Sequence, residues 1–295
     1  MNTPIDAART GAPGLSLRII GALVLTLLLQ ACSMATLGYN RASGLAYWWL
    51  DGLVDLQDAQ SVQVRADLDQ LHQWHRRQAL PRYAELLRSW EALALRDIGP
   101  DQACEQFELA RGLLLETLPR SVAPLAALAQ TLSPDQLTHL KRQYAKDNQK
   151  FQDEYIDAPR QGLDLRVKRM TERMEMFYGR LDTEQRRQLR EQMGRGNFDA
   201  RRVLAERERR QADILATVGS VRAAPAQAQA LVQAVMGRSV ESPQADYRAL
   251  SRQWIREGCA QFAALHNSTS PVQREAAAKA LRGYRDDMLL LARQD

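Results

Sequence analysis

Three cysteines carry the most reactive side chains of this 295-residue chain, and their positions allow different chemistry. Cys32 directly follows an apolar run and the small residue Ala31. Cys104 and Cys259 lie far apart in the sequence, so they could form a disulfide or serve as small buried apolar side chains. Neither has the sequence context of a catalytic nucleophile. The sequence therefore does not favour catalysis by Cys104 or Cys259.

The segment before Cys32 has the layout of a secretion signal. Two arginines precede an uncharged run from Ile19 to Leu29, which is shorter than the roughly 17 residues that a spanning helix needs. The sequence Leu29-Gln30-Ala31-Cys32 resembles the bacterial lipobox. That resemblance implies signal-peptide cleavage between Ala31 and Cys32 and attachment of acyl chains such as palmitate to Cys32. An ordinary signal peptide followed by a coincidental cysteine is the alternative.

The residue after Cys32 indicates a destination for the mature chain. Two or more acyl chains anchor a protein stably in a bilayer, because each buried methylene contributes about 0.8 kcal/mol of membrane-binding free energy. Ser33 is not the aspartate that, in lipoproteins of this type, favours retention in the inner membrane. We therefore expect an outer-membrane lipoprotein whose body faces the periplasm. Because the periplasm is oxidising, it permits a disulfide between Cys104 and Cys259.

Composition and motifs argue against several functional classes. Cleavage before Cys32 would remove two arginines and one aspartate and lower the formal net charge from +5 to +4. A modest positive charge spread along helices does not favour nucleic-acid binding. We find no phosphate-binding loop, nucleophile elbow or zinc spacing of the usual kinds. His72 and His75 share a helix face, but spacing flags no further metal ligand. We predict no catalytic residue, no cofactor and no metal.

Helical periodicity dominates the chain, and Gly and Pro fall mostly between the periodic segments. One long segment forms an apolar seam with alternating spacings of four and three residues, as in a helix bundle. We predict an all-α, irregular multi-helix bundle with long helices. Residues 1–31 would be the signal peptide, 32–44 the anchor and tether, and 45–295 the helical domain, with a candidate subdivision near 131. The seam consists of Leu163, Val167, Met170, Met174, Phe177 and Leu181.

An aromatic stretch, Tyr47-Trp48-Trp49, follows closely behind the expected anchor. Tyrosine and tryptophan suit a membrane interface because one end of each ring is apolar and the other is polar. The same side chains also suit the core of a helix bundle. Of these two interpretations we expect core packing.

Two short segments, Leu132–Gln136 and Leu181–Gln185, place a capping residue before a helix and a glutamine three residues later, as in a capping box. Both resemble the Leu-Thr-x-x-Gln motif of the periplasmic chaperones Spy and CpxP, with Ser133 and Asp182 in place of the threonine. That resemblance implies a helical cradle that holds unfolding clients on a basic, partly apolar face. The simpler interpretation, which we favour, is that both segments only cap helices, so that the glutamines matter less than the capping residues.

A longer resemblance covers nearly the whole chain after Cys32. The segments Gly38–Asn40, Trp48–Asp51 and Leu71–Tyr83 are similar to a family of Gram-negative lipoproteins with a domain of unknown function. The resemblance implies a helical, lipid-anchored protein without an assigned activity. We therefore expect a non-enzymatic, chaperone-like or protein-binding envelope factor, whose partners are the membrane and an unfolded client. A structural adaptor that docks one specific envelope partner is the alternative.

Overall fold

The computed structural model describes residues 34–294, and this part of the chain is helical with no strand. The prediction of an all-α, multi-helix bundle is confirmed. A π-helical turn (His75–Ala79) joins the third helix to the fourth, and a 3₁₀ turn (Pro225–Gln227) precedes the eleventh. The helices are α1 (Met34–Asn40), α2 (Ala42–Val54), α3 (Asp58–Trp74), α4 (Leu80–Leu93), α5 (Pro100–Leu115), α6 (Leu118–Thr131), α7 (Pro134–Tyr155), α8 (Pro159–Tyr178), α9 (Thr183–Arg195), α10 (Ala200–Ala223), α11 (Ala228–Val240), α12 (Ala245–Asn267) and α13 (Pro271–Ala292).

The junction of α3 and α4 shows how the chain accommodates Pro81 without ending the helix. Proline has no N–H group, and its ring clashes with the carbonyl four residues earlier in an α-helix. Here the N–H of Leu80 bonds to the carbonyl of His75, five residues back. This π turn places Pro81 in the first turn of α4, where proline is tolerated. The helical path is therefore continuous from Asp58 to Leu93.

The helices α2–α7 and α8–α13 form two sets of six with the same order of contacts. In the first set α2 packs on α3 and α7, α3 packs on α6, and α4 packs on α5. In the second set α8 packs on α9 and α13, α9 packs on α12, and α10 packs on α11. The two sets also exchange their middle helices. From the first set, α4 packs on α13 and α5 packs on α12. From the second set, α10 packs on α7 and α11 packs on α6. The architecture is a duplicated six-helix unit with swapped middle helices.

Among residues 34–294 the buried apolar side chains form two larger cores and a smaller cluster, and the smaller one consists of Ile98, Ala103, Cys259 and Ala263. The first core combines α2, α6 and α7 with α10 and α11, and the second combines α8, α9, α12 and α13 with α4. Both cores therefore draw on the chain on either side of residue 131. Buried members of the first core include Val54, Ala129, Leu140, Val221 and Val232. Those of the second include Leu87, Val167, Leu181, Leu189, Leu265 and Ala278.

At each core two glutamines from different helices exchange side-chain hydrogen bonds, and we call these four residues (Gln60, Gln136, Gln185 and Gln273) the corner glutamines. In the first core Nε2 of Gln136 donates to Oε1 of Gln60 at 2.7 Å, and Nε2 of Gln60 donates to Oε1 of Gln136 at 3.2 Å. In the second core Gln185 and Gln273 exchange the same bonds at 2.9 and 3.0 Å. Each pair joins the starts of two helices that are far apart in the sequence.

The corner glutamines also complete the helix starts themselves. In every case Oε1 accepts a hydrogen bond from the N-cap residue of the same helix. Each Nε2 also donates to a backbone carbonyl that lies two residues before the N-cap of the partner helix. A glutamine amide offers two donors and two acceptor sites, so each of these amides is fully used. The four accepting carbonyls belong to Asp55, Thr131, Arg180 and Ser268.

In the stretch expected to act as anchor and tether, residues 34–40 belong to α1 and residues 42–44 to α2. In the aromatic stretch Tyr47 is buried and donates to Oγ of Ser61 at 3.1 Å. Trp48 and Trp49, however, are 67% and 70% exposed. Core packing is therefore right for the tyrosine and wrong for the tryptophans, since three consecutive helical residues cannot share one face.

Candidate ligand-binding cavity

An apolar cavity of about 690 Å³ lies beside the second core, between α4, α5, α8, α12 and α13. Its volume falls within the roughly 300–1,000 Å³ that is typical of ligand pockets. Because α4 and α5 come from the first set of helices and the others from the second, the exchange of middle helices creates the cavity. Its walls are mainly apolar, and the phenylalanine, tyrosine and tryptophan side chains among them are Trp90, Phe107, Phe177, Tyr178, Trp254 and Phe262.

The two tryptophans present only apolar ring surface to the cavity. Nε1 of Trp90 donates to Oε1 of Gln106 at 3.0 Å, and Nε1 of Trp254 donates to the carbonyl of Asn197 at 2.7 Å. The indole N–H is the one hydrogen-bonding group of a tryptophan side chain. Neither tryptophan therefore requires a polar partner from an occupant of the cavity.

Methionines of the predicted seam also line the cavity. Met170 and Met174 on α8 are partly buried and pack against the second core, as the spacing predicted. The helical seam is thus confirmed, and the structure adds that its methionines border open space. A methionine side chain has three flexible bonds and a polarisable sulfur, so it adapts its shape to different apolar partners. This wall of the cavity can adjust to more than one occupant.

One buried polar pair closes the inner side of the cavity. Nε2 of His266 lies 2.7 Å from the carbonyl of Arg96, and Nδ1 of His266 lies 2.7 Å from the hydroxyl of Tyr178. A carbonyl can only accept, so Nε2 carries the proton and Nδ1 accepts from the tyrosine O–H. Burial lowers the pKa of His266 and raises the pKa of Tyr178 to about 12. Both side chains are neutral and already paired at pH 7.

The mouth of the cavity combines exposed apolar groups with a cation. Phe107 and Phe262 are 46% and 37% exposed, so the apolar lining continues from the cavity onto the surface. Arg173 also borders the cavity and is exposed, and among residues 34–294 it forms no ion pair. The site thus offers an apolar interior and one positive charge at its entrance.

A disulfide joins two walls of the cavity. Cys104 on α5 and Cys259 on α12 are bonded, with their Cα atoms 5.2 Å apart. Cys259 itself lines the cavity. Since α5 belongs to the first set of helices and α12 to the second, this bond fixes the distance between the two sets at the site.

The other residues considered from the sequence lie away from the cavity. Ala31 and Cys32, the expected cleavage and acylation sites, lie outside the described residues. His72 and His75 contact Tyr39 of α1, with ring centroids 4.6 and 5.8 Å away, and burial lowers the pKa of both histidines. Within residues 34–294 no group of three or more metal-ligating side chains is placed to hold an ion. In the same range no helix has the length and apolar character needed to cross a membrane.

The two chaperone-like segments lie at the starts of α7 and α9, where the corner glutamines pair. Ser133 and Asp182 cap α7 and α9 as predicted, each accepting from the backbone N–H of the glutamine three residues later. None of the corner glutamines lines the cavity. The pairing with Gln60 and Gln273 was not predicted from the sequence. A sequence pattern that marks the four paired glutamines is an N-cap residue followed three residues later by glutamine, and it occurs at the start of α3, α7, α9 and α13.

These features define a duplicated all-α protein with an apolar cavity at the contact between its two sets of helices. Residues 52–248 match a family described as a family of unknown function, DUF6279. The match covers more than half of the chain and helices of both cores, so the chain belongs to this family. Membership of a family of unknown function was expected and is confirmed, whereas the lipoprotein assignment and the likeness to Spy and CpxP stay predictions. No curated protein and no solved structure matches the chain.

Proposed function

We propose that this protein is a non-enzymatic, chaperone-like binding protein of the cell envelope that holds apolar side chains of a polypeptide client in its cavity. Acyl chains on Cys32 would hold it at the periplasmic face of the outer membrane. The observation that carries the proposal is the open apolar cavity itself. A well-formed apolar pocket is a usual place for a protein to bind a ligand.

The mouth of the cavity favours a polypeptide over a fully enclosed small molecule. Because Phe107 and Phe262 extend the apolar lining to the surface, a client chain can insert one side chain and continue across the rim. Arg173 at the entrance suits a client with acidic residues beside its apolar segments.

The interior favours broad rather than narrow selection of clients. Ligand specificity usually comes from a few polar groups aimed into a pocket. Here Tyr178 and His266 bond to each other, and both indole N–H groups are paired with protein atoms. The adaptable side chains Met170 and Met174 further suit binding of varied apolar partners. These features support a holding activity rather than recognition of one ligand.

A pair of serine variants of the full chain tests the cavity. Phe107 and Leu109 both lie on α5 and are 46% and 51% exposed, but only Phe107 lines the cavity. Wild type should suppress aggregation of several unrelated denatured proteins, measured by light scattering. Phe107→Ser should require at least about fivefold more protein for the same suppression, a loss of roughly 1 kcal/mol of binding free energy. Leu109→Ser should behave as wild type.

Two outcomes would refute the holding activity. If Phe107→Ser and Leu109→Ser lost the same amount of aggregation suppression, client binding would depend on general surface hydrophobicity instead of the cavity. Failure of wild type to protect any unrelated client, together with stable capture of one envelope protein, would establish the adaptor alternative.

The anchor is tested separately by metabolic labelling with radioactive palmitate. The full chain should incorporate label, and Cys32→Ala should not. Persistence of the label in Cys32→Ala would exclude acylation at this cysteine. The disulfide between Cys104 and Cys259 supports an oxidising compartment for the protein.

A further inference from the structure

Helix α2 is apolar on two opposite faces. Its inner face, which includes Leu50, Leu53 and Val54, packs into the first core. On the other side Leu45, Trp48 and Trp49 have spacings of three and four residues and therefore share one face. They are 61%, 67% and 70% exposed, and we call them the outer face of α2. Two exposed tryptophans beside a leucine are unusual on a freely solvated helix.

The outer face of α2 also carries no charge. Asp51 is the one charged residue of the helix. Its Oδ1 accepts a hydrogen bond from the N–H of Leu56 at 3.0 Å, at the end where α2 turns toward α3. No charge therefore has to be desolvated when the outer face is covered.

We infer that the outer face of α2 lies in the interfacial region of a lipid bilayer. Tryptophan is enriched at that depth because its ring is apolar and its N–H is polar. The inference rests on the proposed anchoring at Cys32, about 16 residues before Trp48. An anchored Cys32 would hold the outer face of α2 close to the headgroups.

The chain between the anchor and this face is docked on the body of the protein. The hydroxyl of Tyr39 and Nδ1 of His75 lie 2.9 Å apart. Nη2 of Arg76 donates to Oδ1 of Asn40 at 2.7 Å. These contacts fix α1 against the π turn, and α2 follows α1 after the single residue Arg41. The position of α1 relative to the outer face of α2 is thereby fixed.

Positive charge near this face suits a bilayer that contains anionic lipids. Arg41 directly precedes α2 and is exposed. Cations beside an apolar surface add electrostatic attraction to anionic headgroups. This arrangement favours a lipid surface over a second copy of the same basic chain.

Quenching of tryptophan fluorescence by brominated lipids tests the inference. The full chain would be incorporated into vesicles of phosphatidylethanolamine and phosphatidylglycerol with brominated acyl chains. Wild type should be quenched, and the double variant Trp48→Phe/Trp49→Phe should lose at least about two thirds of that quenching. Trp74→Phe, which removes a tryptophan whose ring is covered by Arg120, should leave it unchanged. Phenylalanine keeps the helix apolar, and thermal melts followed by circular dichroism check folding.

Three results would overturn the inference. One is quenching of equal size in wild type and the double variant, and another is no quenching of wild type at all. The third is a blue-shifted emission of Trp48 and Trp49 that depends on protein concentration instead of lipid, which would assign the outer face of α2 to a second copy. Palmitate labelling separates this proposal from the anchor. Labelled protein without quenching refutes the outer face alone, whereas quenching without label at Cys32 refutes the anchor alone.

Discussion

The corner glutamines show how a single residue type can serve local and tertiary structure together. The capping roles of Gln136 and Gln185 follow from spacing in the sequence, because a capping box involves only neighbouring residues. Their pairing with Gln60 and Gln273 does not, because those contacts bridge 76 and 88 residues. Once paired, each glutamine holds the backbone of a helix start that belongs to another part of the chain.

The sequence alone favours a smaller role for the glutamines than for the capping residues, but the tertiary pairing reverses that expectation. Removing a corner glutamine should therefore destabilise the protein more than removing its N-cap. Gln136→Ala leaves the amide of Gln60, the carbonyl of Asp55 and the N–H of Ser133 each without one partner. An unsatisfied buried polar group costs about 1–3 kcal/mol. Ser133→Ala should cost about 0.5–2 kcal/mol. Urea unfolding of both variants measures the difference. A smaller loss in Gln136→Ala than in Ser133→Ala would show that the glutamine acts only as a cap.

A buried carboxylate should make the protein sensitive to acid. Glu206 is 2% exposed and accepts hydrogen bonds from Arg209, Arg210 and Ser242. Burial alone would raise the pKa of the Glu206 carboxyl, but these hydrogen bonds outweigh burial and lower it. The unfolded chain has a glutamate pKa of about 4.3. The stabilisation from Glu206 is thus complete above about pH 4.3 and is lost as the pH falls through the lower folded pKa.

Glu206→Gln should abolish this part of the acid dependence. The variant should be less stable than wild type at pH 7, and the difference between them should shrink as the pH approaches 3. Urea unfolding between pH 3 and pH 7 measures the difference in the free energy of unfolding. Glu208→Gln is the control, because Glu208 is exposed on the same helix and does not take part in the hydrogen bonds around Glu206. A difference that is constant with pH would contradict the assigned role of the carboxylate.

At the scale of elements, helix starts with local signals are well predicted. Ser133, Asp182 and Ser270 cap helices because their side chains bond to backbone N–H groups only three residues away. Asparagine is a residue type that commonly caps helices, but α10 is capped by Oδ1 of Asp199 and not by the nearby Asn197. Asn197 instead bonds to Glu257 of α12. A residue with a tertiary partner is thus unavailable for the local role that its type suggests.

The disulfide should be the strongest single tie between α5 and α12. It closes a loop of 155 residues, and a native disulfide typically contributes about 2–5 kcal/mol, more for longer loops. Cys104→Ser/Cys259→Ser should lower the free energy of unfolding by that amount. Reduction of wild type with dithiothreitol should give the same stability as the double variant. Equal melting temperatures in the oxidised, reduced and double-serine forms would show that helix packing alone holds these walls together.

At the scale of the whole molecule, the helical seam was predictable but the cavity was not. The spacing from Leu163 to Leu181 identifies the apolar face of α8. Which helices cover that face depends on the exchange of α4 and α5 between the two sets, and no local pattern encodes it. The duplication itself lacks a fixed sequence period, because the segments between corresponding corners differ in length. The sequence therefore predicted the fold class, the seam of α8 and the capped starts of α7 and α9, while the topology that creates the site required the structure.

The exchange of middle helices predicts that neither set folds alone. A break at Asp157, an exposed residue between α7 and α8, separates residues 34–156 from 157–294. The first fragment then lacks α10 and α11 for the first core, and the second lacks α4 for the second core. Each fragment exposes apolar surface that the other would bury. Burial of that surface stabilises the intact protein by about 25 cal/mol per Å².

Each fragment alone should therefore show weak helicity and no cooperative melt by circular dichroism. An equimolar mixture should regain both properties. Under oxidising conditions the mixture should also form an intermolecular bond between Cys104 and Cys259, visible on a non-reducing gel as a band at the summed mass. A cooperative melt from either fragment as a monomer would mean that one set contains a complete core. Helix recovery without that disulfide would mean that α5 and α12 meet only in the unbroken chain.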